Sequence, residues 1–199
     1  KVNHNPTKIT GKIAIINTCG FISDAKEESI ETILEYANAK QNNQISHLFV
    51  MGCLSQRYKE ELICEIPEVD AWYGKFDWDN IIKDISNITP SIKSFERAVT
   101  TPSHYAYIKI AEGCNRFCAF CAIPLITGRY KSRPIEDIVS EIEYLVKKGV
   151  KEFNIIALDL SYYGIDLYNQ QMLPQLIDTI AQLKGVEWIR LHYAYPNQF

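Results

Sequence analysis

Three cysteines stand within eight residues of one another in Gly113-Cys114-Asn115-Arg116-Phe117-Cys118-Ala119-Phe120-Cys121, directly after an apolar stretch that reads as a strand. The C-x3-C-x2-C spacing lets one loop wrap three thiolates around a single cubic 4Fe-4S cluster and leaves its fourth iron open. A structural zinc knot is the competing reading, but such knots close with four ligands and commonly pair two C-x2-C halves. The nearest further donor in sequence is His104, which precedes the strand and so belongs at its opposite end. Metal chemistry therefore leads the functional reading, and the fold has to deliver this loop to the carboxyl end of a strand.

The rest of the chain alternates strands and helices. Lys12 to Ile16 reads as a buried strand, and Asp24 with Glu27 opens a helix carrying Ile30, Ile33, Leu34 and Ala37 on one face. His47 to Met51 repeats the strand signal, and Gln56 to Ile66 reads as a helix that must stop before Pro67. Asp70 to Tyr73 and Trp78 to Ile85 give a third strand and a weak helix. Periodicity fades between Asn87 and Ser103, where Pro90 and Pro102 sit, so the domain boundary is expected there, with a linker over 91–103.

A second series follows: strand Tyr105 to Ile110, the cysteine loop, helix Ile135 to Lys148 with Pro134 at its start, strand Glu152 to Ala157, helix Leu173 to Leu183 and strand Trp188 to His192. The fold class is thus α/β: a parallel-sheet domain over 1–90, then the opening of a strand-helix barrel over 104–199. Three strands are too few to close such a barrel, so the chain is expected to be a fragment. Ligands of open parallel sheets gather beyond the carboxyl ends of the strands, and Cys19 and Cys53 each follow such an end.

Composition narrows the function classes. The six cysteines suit metal binding in a reducing compartment better than a disulfide framework. The net charge of −3 comes without a dense Lys/Arg stripe, so no direct nucleic-acid site is expected in this piece. No run of eighteen apolar residues and no signal peptide is evident, which makes the cytoplasm the expected compartment and a membrane no partner. Cys64, between Ile63 and Ile66 on a helix, is expected to be a packed core thiol. His4, His47, His104 and His192 show no paired ligand spacing.

Cys114 to Cys121 with Ala122-Ile123-Pro124, Gly128-Arg129 and Ser132-Arg133-Pro134 resembles the radical-SAM methylthiotransferases. Asn17-Thr18-Cys19-Gly20-Phe21-Ile22, Ala25-Lys26-Glu27-Glu28-Ser29, Gly52-Cys53-Leu54 and Tyr193-Ala194-Tyr195-Pro196 are similar to the branch that modifies the twelfth protein of the small ribosomal subunit. The resemblance implies a flavodoxin-like N-terminal domain with a second 4Fe-4S cluster, a partial radical-SAM barrel, and a C-terminal TRAM domain, absent here. It implies that the open iron chelates S-adenosylmethionine, that an electron donor such as flavodoxin reduces the cluster, and that a 5′-deoxyadenosyl radical takes hydrogen from the β-carbon of an aspartate. A methylated sulfur associated with the second cluster then reaches that carbon.

Carried onto this chain, the resemblance makes Cys114, Cys118 and Cys121 ligands of the first cluster and Cys19 and Cys53 ligands of the second. The remaining ligand of that second cluster is expected upstream of Lys1. Phe120 is expected beside the cofactor's adenine, and Arg133 suits a carboxylate or ribose. Ala157-Leu158-Asp159 departs from the Ala-Gln-Asp or Ala-Gln-Glu of family members: Leu158 cannot make a glutamine's polar contact, and Asp159 is the candidate to replace it. Arg129 is read with even weight as a ligand of the cofactor or a solvated charge, Glu141 as an exposed helix residue rather than a cofactor contact, and Tyr162-Tyr163-Gly164 as loop packing or the substrate mouth. Two other functions stay open: a tRNA adenosine methylthiotransferase, and a metal-stabilised binding module whose fourth coordination position is closed by protein.

Overall fold

A computed structural model describes residues 8–9, 11–86, 97 and 99–195. His4, Pro6, Pro90, Pro196 and most of the expected linker lie outside that set. The chain divides into two compact units, residues 1–90 and 91–199.

The first unit runs β1 (Ile13–Thr18), α1 (Ser23–Gln41), β2 (His47–Gly52), α2 (Cys53–Glu65), β3 (Ala71–Tyr73) and α3 (Trp78–Ser86). Its strands form one parallel sheet in the order β1-β2-β3, with Thr18 opposite Gly52 and Met51 opposite Tyr73. The central strand is buried on both faces, which is why Leu48-Phe49-Val50-Met51 is uninterrupted apolar sequence. Leu48 and Val50 pack with Ala14, Ile16, Ile33, Ala37 and Leu62, while Phe49 and Met51 pack with Tyr73 and Ile81. Leu34, expected in the α1 stripe, is 50% exposed. Ile33 and Ala37, one turn apart, take the core, and Leu34 falls on the rim beside them.

Helix α2 begins at Cys53 itself, three residues before the start expected from periodicity. Leu62 on it and Ile66 just past its end face the core, and Cys64 is exposed rather than packed. The helix turns that side chain away from the buried stripe.

The second unit contains β4 (Tyr105–Lys109), β5 (Ala111–Glu112), α4 (Ile123–Thr127), β6 (Lys131–Ser132), α5 (Ile135–Lys147), β7 (Glu152–Ile156), a 3-10 turn (Leu160–Tyr162), α6 (Ile165–Tyr168), α7 (Leu173–Ala181) and β8 (Trp188–His192). Strands β4, β7 and β8 form a parallel sheet in that order, with Ile108 opposite Ile155 and Ile155 opposite Leu191. Ala106, Ile108, Phe153 and Ile155 meet Ile138, Ile142, Leu145, Leu176 and Ile180, so α5 and α7 cover one face. On the other face Tyr107 is 43% exposed, and His192 Nε2 lies 3.1 Å from Asn154 Oδ1. In each unit, parallel strands connected through helices are the expected α/β architecture. The short antiparallel pair β5-β6, with Ala111 opposite Ser132, was not legible as strand. Two-residue strands carry no periodicity.

Candidate metal centre

The cysteine loop leaves β5 and returns through α4 to β6, so both of its ends are fixed by the β5-β6 pair beyond the carboxyl end of β4. Cys114 N donates to Gly128 O at 3.2 Å, and Tyr130 N donates to Asn115 Oδ1 at 3.0 Å. Phe117 has φ of +48°, a conformation costly for a bulky residue, and the Arg129 guanidinium stands 4.8 Å over its ring. The chain then turns at Cys118, whose carbonyl accepts from Cys121 N at 2.9 Å, and enters α4 with Pro124 in its first turn.

Cys118 is exposed, and Cys114 and Cys121 are half-buried; no cysteine of the chain is in a disulfide. Among the described residues no group of three or more His, Cys, Asp or Glu converges as for a single metal ion. The donor set nevertheless suits an iron-sulfur cube: three free thiols on one open loop are the ligand number of a cube with one open iron rather than of a closed four-ligand zinc shell. An open cleft of about 310 Å³ adjoins Cys118, lined by Asn115, Arg116, Tyr162 and Tyr195. That volume lies near the lower end for small-molecule sites.

Arg116, to which the sequence reading gave no role, ties this loop to the end of β7. Its Nε donates to Asp159 Oδ2 at 2.6 Å, one Nη lies 3.3 Å from Ser161 Oγ, and its guanidinium carbon stands 3.7 Å over the Tyr195 ring. Asp159 is 3% exposed, and its other oxygen accepts from Ser161 N at 3.1 Å and Ser161 Oγ at 2.5 Å. It caps the 3-10 turn and pairs with Arg116, so this carboxylate is already engaged. Its position between two would-be ligands was the available signal for Arg116.

Glu141, expected to be exposed, is 4% exposed instead. Arg97 Nε donates to one of its oxygens at 2.9 Å and Arg133 Nη1 to the other at 2.8 Å. Arg133 also donates to Lys109 O at 2.7 Å, and its own carbonyl accepts from Tyr163 Oη at 2.8 Å. Helical periodicity explains the correction: Glu141 lies one turn from Ile138 and Leu145 on the buried face of α5, where two arginines make its charge tolerable. Arg129 is exposed, Phe120 is 91% exposed, and Leu158 is 38% exposed. Tyr162 lines the cleft, whereas Tyr163 is fully buried.

Tyr130 lies beneath the loop, 4% exposed, its ring 5.1 Å from that of Tyr162. Among the described residues its hydroxyl has no hydrogen-bond partner. Burial first, then the nearby Asp159 and Asp166 carboxylates, push this phenol well above its usual range.

In the first unit, Cys19 directly follows β1 and Cys53 opens α2. A Cβ on Gly20 would lie 2.7 Å from the Cys53 carbonyl carbon and from Leu54 N, so the two cysteine-bearing turns are in backbone contact. Thr18 Oγ1 donates to Met51 O at 2.7 Å, and Cys19 N donates to Ser29 Oγ on α1 at 3.1 Å. Helix α2 directs the positive end of its dipole at this crevice, which suits an anionic cluster. Two thiols supply only part of a cube's ligand set.

The comparisons with known proteins divide at the same place as the structure. Residues 2–74 match the model described as uncharacterized protein family UPF0004, and residues 108–194 that of the radical SAM superfamily. The chain is 59% identical over 198 residues to the ribosomal protein uS12 methylthiotransferase RimO of Bacteroides fragilis and 58% identical over 199 residues to that of Phocaeicola vulgatus. The RimO of Porphyromonas gingivalis is 54% identical over 198 residues. Each alignment takes in 100% of this chain and 46% of the relative, so the chain spans about half the length of the curated relatives it matches.

Proposed function

We propose that the chain, similar along its whole length to RimO methylthiotransferases and matched over 108–194 by the radical SAM superfamily, is the cluster-bearing part of an enzyme that adds a methylthio group to the β-carbon of an aspartate in a small-subunit ribosomal protein. Cys114, Cys118 and Cys121 hold one 4Fe-4S cluster through thiolates, and Cys19 and Cys53 contribute two ligands to a second. When bound at the cysteine loop, such a cluster would supply the electron for reductive cleavage of S-adenosylmethionine and so the means to take a hydrogen from an unactivated carbon. An electron donor such as flavodoxin provides the reducing equivalent, and the cytoplasm is the compartment in which these thiols stay reduced.

The chain's own residues hold and shield the site. Phe120, 91% exposed beside Cys121, offers an uncovered aromatic face for the adenine of the cofactor. Arg133, fixed by Glu141 and the Lys109 carbonyl at the end of β4, presents its remaining donors to a carboxylate or ribose. Asp159 bears on the site through Arg116 rather than by direct contact. Tyr162 and Tyr195 wall the cleft at Cys118.

The observation that supports this reading most is the placement of three free thiols on one open loop at the carboxyl end of β4, inside the segment matched by the radical SAM superfamily. It is tested by anaerobic reconstitution with iron and sulfide, followed by metal quantitation and electron paramagnetic resonance of the dithionite-reduced protein. A 4Fe-4S signal that changes on adding S-adenosylmethionine is expected. Zinc uptake without iron, or a cluster signal indifferent to S-adenosylmethionine, would overturn it.

A further inference from the structure

We propose that Arg116 is a positioning residue: clamped between the buried Asp159 carboxylate and the Tyr195 ring, it fixes the cysteine loop to the end of β7 in the arrangement that receives the cluster. The proposal rests on the reading of Cys114, Cys118 and Cys121 as cluster ligands.

Arg116 sits between Cys114 and Cys118, so whatever restrains its backbone restrains both flanking thiols. Its guanidinium engages three parts of the fold at once: Asp159 just after β7, Ser161 in the 3-10 turn, and Tyr195 beyond β8. These segments are anchored to each other, since Leu160 N donates to Tyr193 O at 3.1 Å. The clamp therefore joins the loop to a fixed frame.

The chemistry selects arginine. A planar fork can donate along its edge to a carboxylate and a hydroxyl while its face lies on an aromatic ring; an ammonium has neither the fork nor the face. Asp159 is 3% exposed and cannot turn to water, and an Arg116 lost from the loop would leave that carboxylate buried with only the Ser161 donors. The pair is close to neutral as a unit. Its effect on the cluster while intact is thus mechanical, and breaking it from either side leaves an unbalanced charge of opposite sign near Cys118.

That asymmetry gives the test a readout beyond folding. In the anaerobically reconstituted chain, Arg116→Gln and Asp159→Asn should each release iron to a chelator roughly 10- to 100-fold faster than the unsubstituted protein, the range seen when groups that orient metal ligands are removed. The double variant should be no worse than the worse single, because both substitutions open one clamp. The cluster potential should fall in Arg116→Gln, where a carboxylate is uncovered, and rise in Asp159→Asn, where a guanidinium is. Hydrogen exchange on the apo chain adds a measurement independent of cluster uptake: amides of 114–121 should lose protection in Arg116→Gln while those of β4 and β7 keep it.

Unchanged loop protection in apo Arg116→Gln overturns the proposal, and so do additive losses in the double variant or potentials that move in the same direction. Global loss of protection in Arg116→Gln would shift the exchange test to Arg116→Lys, in which the same local loosening of 114–121 is expected and its absence is equally fatal. If the parent chain takes up no cluster, the ligand assignment fails, while the apo exchange result still decides whether the clamp orders the loop.

Discussion

The two cysteine sites are held by opposite means. In the first unit, Cys19 and Cys53 sit on tight strand-to-helix turns fixed by backbone against backbone, with Gly20 packed on the Cys53-Leu54 peptide and Gly52 at φ of +109°. In the second unit, Cys114, Cys118 and Cys121 lie on a long excursion held by side chains: Asn115 on the Tyr130 amide, Arg116 on Asp159, Arg129 on Phe117. A backbone-built site tolerates polar change but not an added methyl. The side-chain-held loop depends on charge as well, although its first turn is also closed by backbone, since a Cβ on Gly113, at φ of +73°, would run into the Arg129 carbonyl.

The sharpest way to break this contrast is Gly52→Ala. The new Cβ would lie 2.5 Å from Thr18 O, at a φ that disfavours any L residue. Overpacking of this kind costs about 1–3 kcal/mol, and a backbone at φ 109° and ψ −157°, a region open essentially to glycine alone, adds about 1–3 kcal/mol. Urea unfolding of the first unit should show a loss of roughly that sum, with the second unit's transition unmoved; equal loss in both units would refute the separation.

Alkaline titration should give the next largest effect. Burial first, then the hydrogen bond with Asp84 and that residue's charge, push Tyr73 up to about 12 from 10.0. Burial pushes Tyr163 higher still. A phenol raised in the folded state stabilises it fully below the unfolded value and loses that contribution as pH climbs through the folded value. The first unit should therefore weaken between pH 10 and about 12, and the second should go on weakening above that. Denaturant midpoints followed unit by unit against pH would check this, and a first unit indifferent to pH across that window would contradict it.

Tyr130→Phe should have the smallest effect, and of opposite sign. It removes a buried hydroxyl that has no partner among the described residues while keeping the ring against Tyr162. Stability should stay level or rise by up to about 1 kcal/mol, since an unmatched polar group costs free energy to bury. A clear drop in the thermal midpoint would mean that the hydroxyl serves a partner in the folded protein.

Most of the fold was legible because its signals are local. Trp188–His192 was read to the residue, and the other long strands and helices to within a few, from apolar alternation and helical stripes alone. The errors share a cause. Cys64 and Glu141 were assigned by residue type or neighbourhood and Leu34 by a helical stripe drawn too wide, but burial depends on which side of a helix meets the sheet. The early start of α2 escaped because Gly52, at positive φ, lets the chain turn straight from strand into helix at Cys53. For the site, cysteine spacing gave the candidate ligands, while Arg116 had no periodic or compositional mark.

By itself, then, the sequence determined the alternation of strands and helices and the candidate donor set, because periodicity and spacing are written along the chain. Only the tertiary structure decided what restrains the donors. Arg116 and Asp159 stand 43 residues apart, as do Arg97 and Glu141 at 44, and a pairing of charges becomes visible only when the sheet brings two strand ends together. Whether a charged side chain is solvated, buried or clamped is a property of the surface it folds against, and that surface is assembled from distant parts of the chain.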